Sequence, residues 1–326
     1  MVSNFLRKGD GRDAPEAECR PAQGEEVYDA LSLILGTGGA AAGPQAVQEF
    51  LQFAAHRGID LGDLWVAGTG GRMDWAILPI VSPGRTMLLF APTSRPRTVD
   101  VGRVLEAVCQ RHASRGIHLA QVLIDPADAG GQQFYGGHSF RAMAYLLYLQ
   151  STTRRAAAPV TPAELQWRQY SAQTHALFST TILETYRQSL DCPGLNGLRD
   201  IEDVIAGHKA SGDFDPRFWY ALTDGNNSIA VLLLNRVSRS EMAELVYLGV
   251  VPQARGRGVG DLLMRHALWS VGEMKLERLT LAVDSRNQPA LRLYFRHGLQ
   301  QIGCKVALMR DLRELLHTPC TGPISQ

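Results

Sequence analysis

Covalent and metal crosslinks have little to work with in this chain of 326 residues. Its five cysteines, Cys19, Cys109, Cys192, Cys304 and Cys320, are odd in number, widely spaced and form no CxxC pair. That excludes a disulfide framework and a zinc site, and fits reduced thiols in a cytoplasm. The nine histidines show no HExxH or other paired spacing, so no metal is expected and each reads as a surface or packing residue. No apolar run approaches the roughly 18–20 residues that span a bilayer, so no membrane segment is expected. Charge of one sign is scarce too. The 33 Lys and Arg against 32 Asp and Glu leave a net charge of +1, which gives no electrostatic basis for a nucleic-acid or membrane partner. Residues 1–25 are polar, rich in helix breakers and without the apolar core of a secretory signal; they are expected to form a mobile tail.

What is present suits two globular domains, with 45% hydrophobic and 20% charged residues. Residues 26–60 carry helical periodicity in "VYDALSLILG" and "AVQEFLQFAAHRG". The runs "LWVAG", "DWAILPIV" and "TMLLFAP" are short enough to be strands, and "TGGR" and "SPGR" between them are turn signals. A helix over 99–115 follows, then the strands "LAQVLID" and "RAMAYLLYL". After "STTRRAAAPVTP" the order recurs: a strand, two helices, strands on either side of "DGNN", the strand "AELVYLGVV", a helix over 258–275, "RLTLAVD", a helix over 287–297 and "KVALMR". We expect domains at 26–152 and 163–312, a linker at 153–162 and a tail at 313–326.

The two halves superpose as sequences when shifted by 159 positions without a gap. Asp284 falls on Asp125, Tyr294 on Tyr135, His297 on His138 and Leu299 on Phe140, and the hydrophobic phase holds through strand, helix, strand and helix. We read an internal duplication. It breaks at one place: "QARGRGVG" in the second half falls on "SRPRTVDV" in the first, where every glycine is gone. Whatever that loop binds, only the second half is expected to bind it.

Gly256, Gly258 and Gly260 lie between a strand and a helix. Glycine admits backbone conformations closed to other residues and lets a ligand approach. The first amides of a helix have no internal partners, and the helix dipole favours an anion there. Arg255 and Arg257 add charge at the rim. The alternative is a tight connection with two solvated arginines. A Walker loop is excluded because no Lys-Ser or Lys-Thr follows. A Rossmann fingerprint fits in part: Asp284 stands where a ribose-binding acid would, but Asp261 takes the place of the third glycine and the preceding strands form a meander.

"Gln253-Ala-Arg-Gly-Arg-Gly-Val-Gly" resembles the Q/R-x-x-G-x-G/A loop of the GCN5-related N-acetyltransferase (GNAT) superfamily. "NQPALRLYFRHGL" is similar to that family's Asn-x-x-Ala-x-x-Leu-Tyr-x-x-x-Gly-Phe segment, with Leu299 in the Phe position. The element order from Leu165 to Arg310 also matches. The resemblance implies an α/β fold of two GNAT-like domains in tandem, each a mixed, mostly antiparallel sheet flanked by helices, the N-terminal copy degenerate. This arrangement is similar in architecture to that of mycothiol synthases. It implies acetyl-CoA as co-substrate, an amine-bearing acceptor, and direct attack in a ternary complex. Oligomeric state stays open between monomer and homodimer. A non-catalytic acyl-CoA-binding module is the alternative, and a Rossmann-type oxidoreductase a more distant one.

Acetyl transfer to an amine needs a neutral nucleophile, a stabilised oxyanion and a proton for the leaving thiolate. Tyr294 is the candidate acid, since a phenol titrates near about 10 and is protonated at neutral pH. The alternative is a packing role, which its repeat partner Tyr135 supports. Glu244 is the candidate base. By strand alternation 244, 246, 248 and 250 share one face, so Val246, Leu248 and Val250 would partly desolvate it. A solvated strand-start charge is the alternative; Glu241 or a bound water are fallbacks. By resemblance, the backbone of Leu248, Gly249 and Val250 receives the pantetheine arm, and the loop through Gly256, Gly258, Val259 and Gly260 the pyrophosphate. Asn287 is a natural N-cap that by resemblance also bonds the pantetheine. In "YRQSLDCPGLNGLRD", Asp191 suits an amine and Arg199 a carboxylate; otherwise the stretch is a structured turn before a capped helix.

Overall fold

The computed structural model describes residues 18–316 apart from 37–39, 97, 153–155 and 196. The first half runs β1 (Glu18–Pro21), α1 (Glu26–Ile34), α2 (Pro44–Arg57), β2 (Trp65–Thr69), β3 (Arg72–Ser82), β4 (Thr86–Phe90), α3 (Val101–Ser114), β5 (Leu119–Ile124), α4 (Ala129–Gly137) and β6 (Arg141–Thr152). The second runs β7 (Leu165–Gln169), α5 (His175–Tyr186), α6 (Ile201–Ala210), β8 (Trp219–Asp224), β9 (Asn227–Arg236), β10 (Met242–Val250), α7 (Val259–Glu273), β11 (Arg278–Asp284), α8 (Gln288–Arg296) and β12 (Gln300–Asp311). Strand β1 lies within the stretch expected to be a tail, and Leu312–Leu316 makes a short 3-10 helix in the other. Residues 1–17 and 317–326, Cys320 among them, and the start of the linker at 153–155 lie outside the described residues.

Two compact units result: residues 1–80 with 89–112, and 81–88 with 113–326. In the first, β1, β2 and β3 pair antiparallel, and α1 and α2 bury Leu31 and Val47 with Val66, Ala76 and Leu78 of the strands. In the second, the strand order from residues 86–88 onward is β4-β5-β12-β6-β11-β10-β9-β8-β7. The pairs β4–β5 and β10–β11 are parallel and the others antiparallel. This is the mixed, mostly antiparallel sheet expected.

Strand β9 shows why its sequence is apolar without alternation. Ala230, Leu232 and Leu234 pack into the core under α7 and α8, while Val231 and Leu233 pack into a second core under α5 and α6. A central strand covered on both faces has no polar side to show. Each leucine so buried contributes about 2 kcal/mol of transfer free energy.

The duplication is visible in the pairing register. Under the same shift β11 falls on β5, α8 on α4 and β12 on β6. The pair Arg278↔Thr152 between β11 and β6 has its image in Leu119↔Asp311 between β5 and β12. Within the β6–β12 seam, Tyr145↔Val306 and Leu147↔Cys304 are each other's images. A local two-fold therefore runs through this seam, and each half gives its last strand to the other. Compact units and sequence repeat cut the chain differently for that reason.

Candidate active site

The site begins where β10 leaves β11. The two pair in parallel only through Met242↔Arg278, Ala243↔Leu279 and Glu244↔Thr280. Beyond Glu244 they part, and a cavity of about 740 Å³ opens between them, walled by Leu245–Val250 on one side and Leu281–Val283 on the other. A bulge at Val246 shifts β10 by one residue against β9, so Leu245 faces Leu234 but Tyr247 faces Leu233. The bulge also reverses the side-chain phase. Glu244 thus shares its face with Tyr247 and Gly249, and Leu248 and Val250 point the other way, into the core under α7. The single face inferred from strict alternation is corrected by that one extra residue. Glu244 is not on the cavity wall; Ser211 Oγ donates to its Oε2 at 2.8 Å.

Gly249 is on the wall, at a position that admits no side chain. A Cβ there would stand 2.7 Å from Thr185 Oγ1 and 2.8 Å from the Tyr247 ring. The Tyr247 hydroxyl is itself 2.7 Å from Thr185 Oγ1. Sequence reading missed Tyr247 because alternation put it on the wrong face.

At the cavity's other end, Gly256 and Gly258 take left-handed backbone at φ 75° and 80°. Gly258 is the N-cap of α7, with no side chain to satisfy the first amides. Those of Val259 to Asp261 have no partner within the helix, while the Val259 side chain is buried in the core. Gly260 brings α7 close to α8, since a Cβ would meet Leu293 at 3.2 Å. Asp261 is acidic where an anion would bind, yet it is already paired, with Arg265 at 2.7 Å and His297 at 2.8 Å. Burial alone would raise its pKa, but these partners hold it below the ordinary value.

The arginines depart from expectation. Arg257 is exposed and off the cavity wall. Arg255 lines the cavity but spends its guanidinium on main-chain carbonyls: Nε donates to Val250 at 3.1 Å, Nη1 to Gln188 at 3.0 Å, and Nη2 to Thr185 and Arg187 at 2.9 Å each. It fastens the chain after α5 to the glycine loop. Arg199 is outside the cavity as well. Its Nη2 donates to the Asp203 carbonyl at 2.8 Å, and it packs against Gly84 and Gly207. It closes the turn beside α6.

Tyr294, on α8, is buried and lines the cavity with Asp191 and Asn287. Burial, and then the Asp191 charge, push its phenol well above the ordinary range. Asn287 caps α8, its Oδ1 accepting from the Ala290 amide at 3.4 Å, and its side chain also bonds Asp191. Asp284 is fully buried, accepting from Arg286 Nη2 at 2.7 Å and the Cys192 amide at 3.3 Å. It is not free to hold a ribose, and the strands before the glycine loop form the meander β8–β9–β10. The Rossmann reading fails on both counts.

Residues 182–299 match the acetyltransferase (GNAT) family. A mycothiol acetyltransferase of Mycobacteroides abscessus is 46% identical over 99 residues, which are 29% of this chain and only 33% of that protein. One from Beutenbergia cavernae is 27% identical over 310 residues, 92% of this chain and 91% of that one. Among solved structures, a GCN5-related N-acetyltransferase from Sphaerobacter thermophilus aligns with a TM-score of 0.58 at 15% identity, covering 91% and 96% of the two chains. A tandem GNAT protein from the clavulanic acid biosynthesis pathway gives 0.52 at 16%, covering 95% and 100%. At such identities these two speak for the fold alone. Residues 182–299 thus match the acetyltransferase (GNAT) family, and the fold of the whole chain is similar to that of a tandem GNAT protein.

Proposed function

We propose that the chain is an acetyl-CoA-dependent N-acetyltransferase acting on a primary amine, with its one active site in the domain expected at 163–312. The observation that carries this is the continuity of the cavity. It joins the uncapped start of α7, suited to a pyrophosphate, to the gap between β10 and β11, suited to an extended pantetheine arm, and ends at a buried phenol. The stretch of β10 after Glu244, paired with β9 but no longer with β11, offers main-chain donors to that arm and to the thioester oxygen as it gains charge. Acetyl-CoA supplies the activated acyl group. Tyr294 gives its proton to the departing thiolate, and burial ensures that it holds one. The first half has no glycine loop and serves as scaffold.

The relatives' acceptor, named in mycothiol acetyltransferase, is a candidate here. Glu244 is not assigned as the base, because its carboxylate lies beyond the wall. The test is release of free CoA from acetyl-CoA on addition of a panel of primary amines. Tyr294→Phe is expected to bind acetyl-CoA as before and to lower kcat by about 10²-fold or more. Equal turnover by this variant would remove Tyr294 from the chemistry.

A further inference from the structure

One carboxylate on the cavity wall has no cation. Asp261, also on the wall, has Arg265 and His297, and the buried Asp284, next in the chain to Val283 of the wall, has Arg286. Asp191 pairs with no Lys, Arg or His among the described residues. Its Oδ1 accepts from the Asp284 amide at 3.1 Å, and Asn287 bonds it as well. The groups that face it are neutral or already neutralised: Tyr186 of α5, Tyr247 of β10, Tyr294 of α8, the adjacent Cys192, and Asp284 with its Arg286. Burial raises its pKa, with the Asp284 charge adding to this.

The loop that carries Asp191 is held at both ends. Arg255 binds the carbonyls of Thr185, Arg187 and Gln188 before it, and the Cys192 amide donates to Asp284 after it. A half-buried carboxylate held in place beside Tyr294 is a costly thing to keep without a counter-ion. A substrate ammonium would be that counter-ion.

We propose that Asp191 is the acceptor's ammonium site and its first proton acceptor, taking the role that the sequence suggests for Glu244. The proposal rests on the acetyl-transfer reading above. The acceptor enters as R–NH3⁺ and gives one proton to the Asp191 carboxylate. The freed amine forms a bond to the thioester carbon, and the carbon–sulfur bond then breaks. The thiolate takes the Tyr294 proton, and the second proton lost from nitrogen restores the phenol. The products are the amide and free CoA, and Asp191 returns its proton to solvent.

Two CoA thioethers of matched shape test this without knowledge of the acceptor. S-(2-aminoethyl)-CoA carries an ammonium where S-propyl-CoA carries a methyl group. Each is titrated into the full-length protein at pH 8 and at lower pH. The ammonium compound is expected to bind about tenfold tighter or better, as a charge-assisted bond allows. That preference should vanish in Asp191→Asn, and should fade in the wild type as pH falls and Asp191 is protonated. Retained binding of S-propyl-CoA reports a folded site in the variant. If the variant does not fold, the pH series on the wild type decides. Equal affinities in the wild type, or a preference that survives Asp191→Asn, would overturn the proposal and leave the acetyl-CoA reading standing. Failure of both thioethers to bind the wild type would overturn the reading and the proposal together.

Discussion

Tyr294 and Tyr135 occupy the same place in two copies of one helix, and their surroundings divide them. Tyr135 packs edge-on to Phe140 at 5.4 Å, whereas Tyr294 borders the cavity and feels the Asp191 charge. Their shared buried position made packing a fair reading of both, and only the neighbours tell them apart. Asp191 carries a consequence for stability. Its folded pKa is raised, so its ionised form works against the fold. The loss develops as pH rises from the unfolded value near about 3.9 through the higher folded value, and is fully present at neutral pH. Asp191→Asn, which keeps the acceptor for the Asp284 amide, is therefore expected to raise the apo protein's Tm at pH 7 by about 1–3 °C, with no gain near pH 3. Thermal unfolding at both pH values checks this. Residue roles were the least legible part of the sequence. The glycines, Tyr294, Asn287 and Asp191 do line the cavity. Arg255, Arg199 and Glu244 each have a partner that the sequence did not announce, and Arg257 stands off the wall, because a charge in a sequence does not say which carbonyl or hydroxyl will claim it.

At the scale of elements, periodicity served well. The order of strands and helices across the second half is the one read from the sequence, down to Asn287 as the cap of α8. The exception is the bulge in β10, an insertion of one residue that leaves no mark on composition yet turns every side chain before it to the other face. Arg255 adds a tie between elements that no motif announces. Removing it should free the chain after α5 more than it weakens the pyrophosphate cradle proposed at the start of α7. Arg255→Ala is expected to lose hydrogen-exchange protection over 185–192 and at least tenfold in kcat, while acetyl-CoA affinity changes by less. A large loss of acetyl-CoA affinity with unchanged protection would instead make Arg255 a direct phosphate ligand.

For the whole molecule, the exchange of β6 and β12 is the feature that the repeat foreshadowed and the sequence alone did not show. Equal registers on both strands make them interchangeable partners, so periodicity has no means of saying which half each completes. A fragment from residue 153 onward would lack β6, leaving β11 with an open edge. Its own β12 has the register to fill that edge in a second copy. Such a fragment is expected to be a dimer by light scattering, where a soluble monomer would show that β6 is dispensable.

The most direct test of the central claim is calorimetric titration of acetyl-CoA into the full-length protein and into Gly258→Pro. At φ 80° this position is closed to proline, so the loop cannot form in the variant. One site per chain, absent in a folded Gly258→Pro protein, is the expected result. Two sites would contradict the degenerate first half, and no binding to the folded wild type would contradict the acetyltransferase account as a whole.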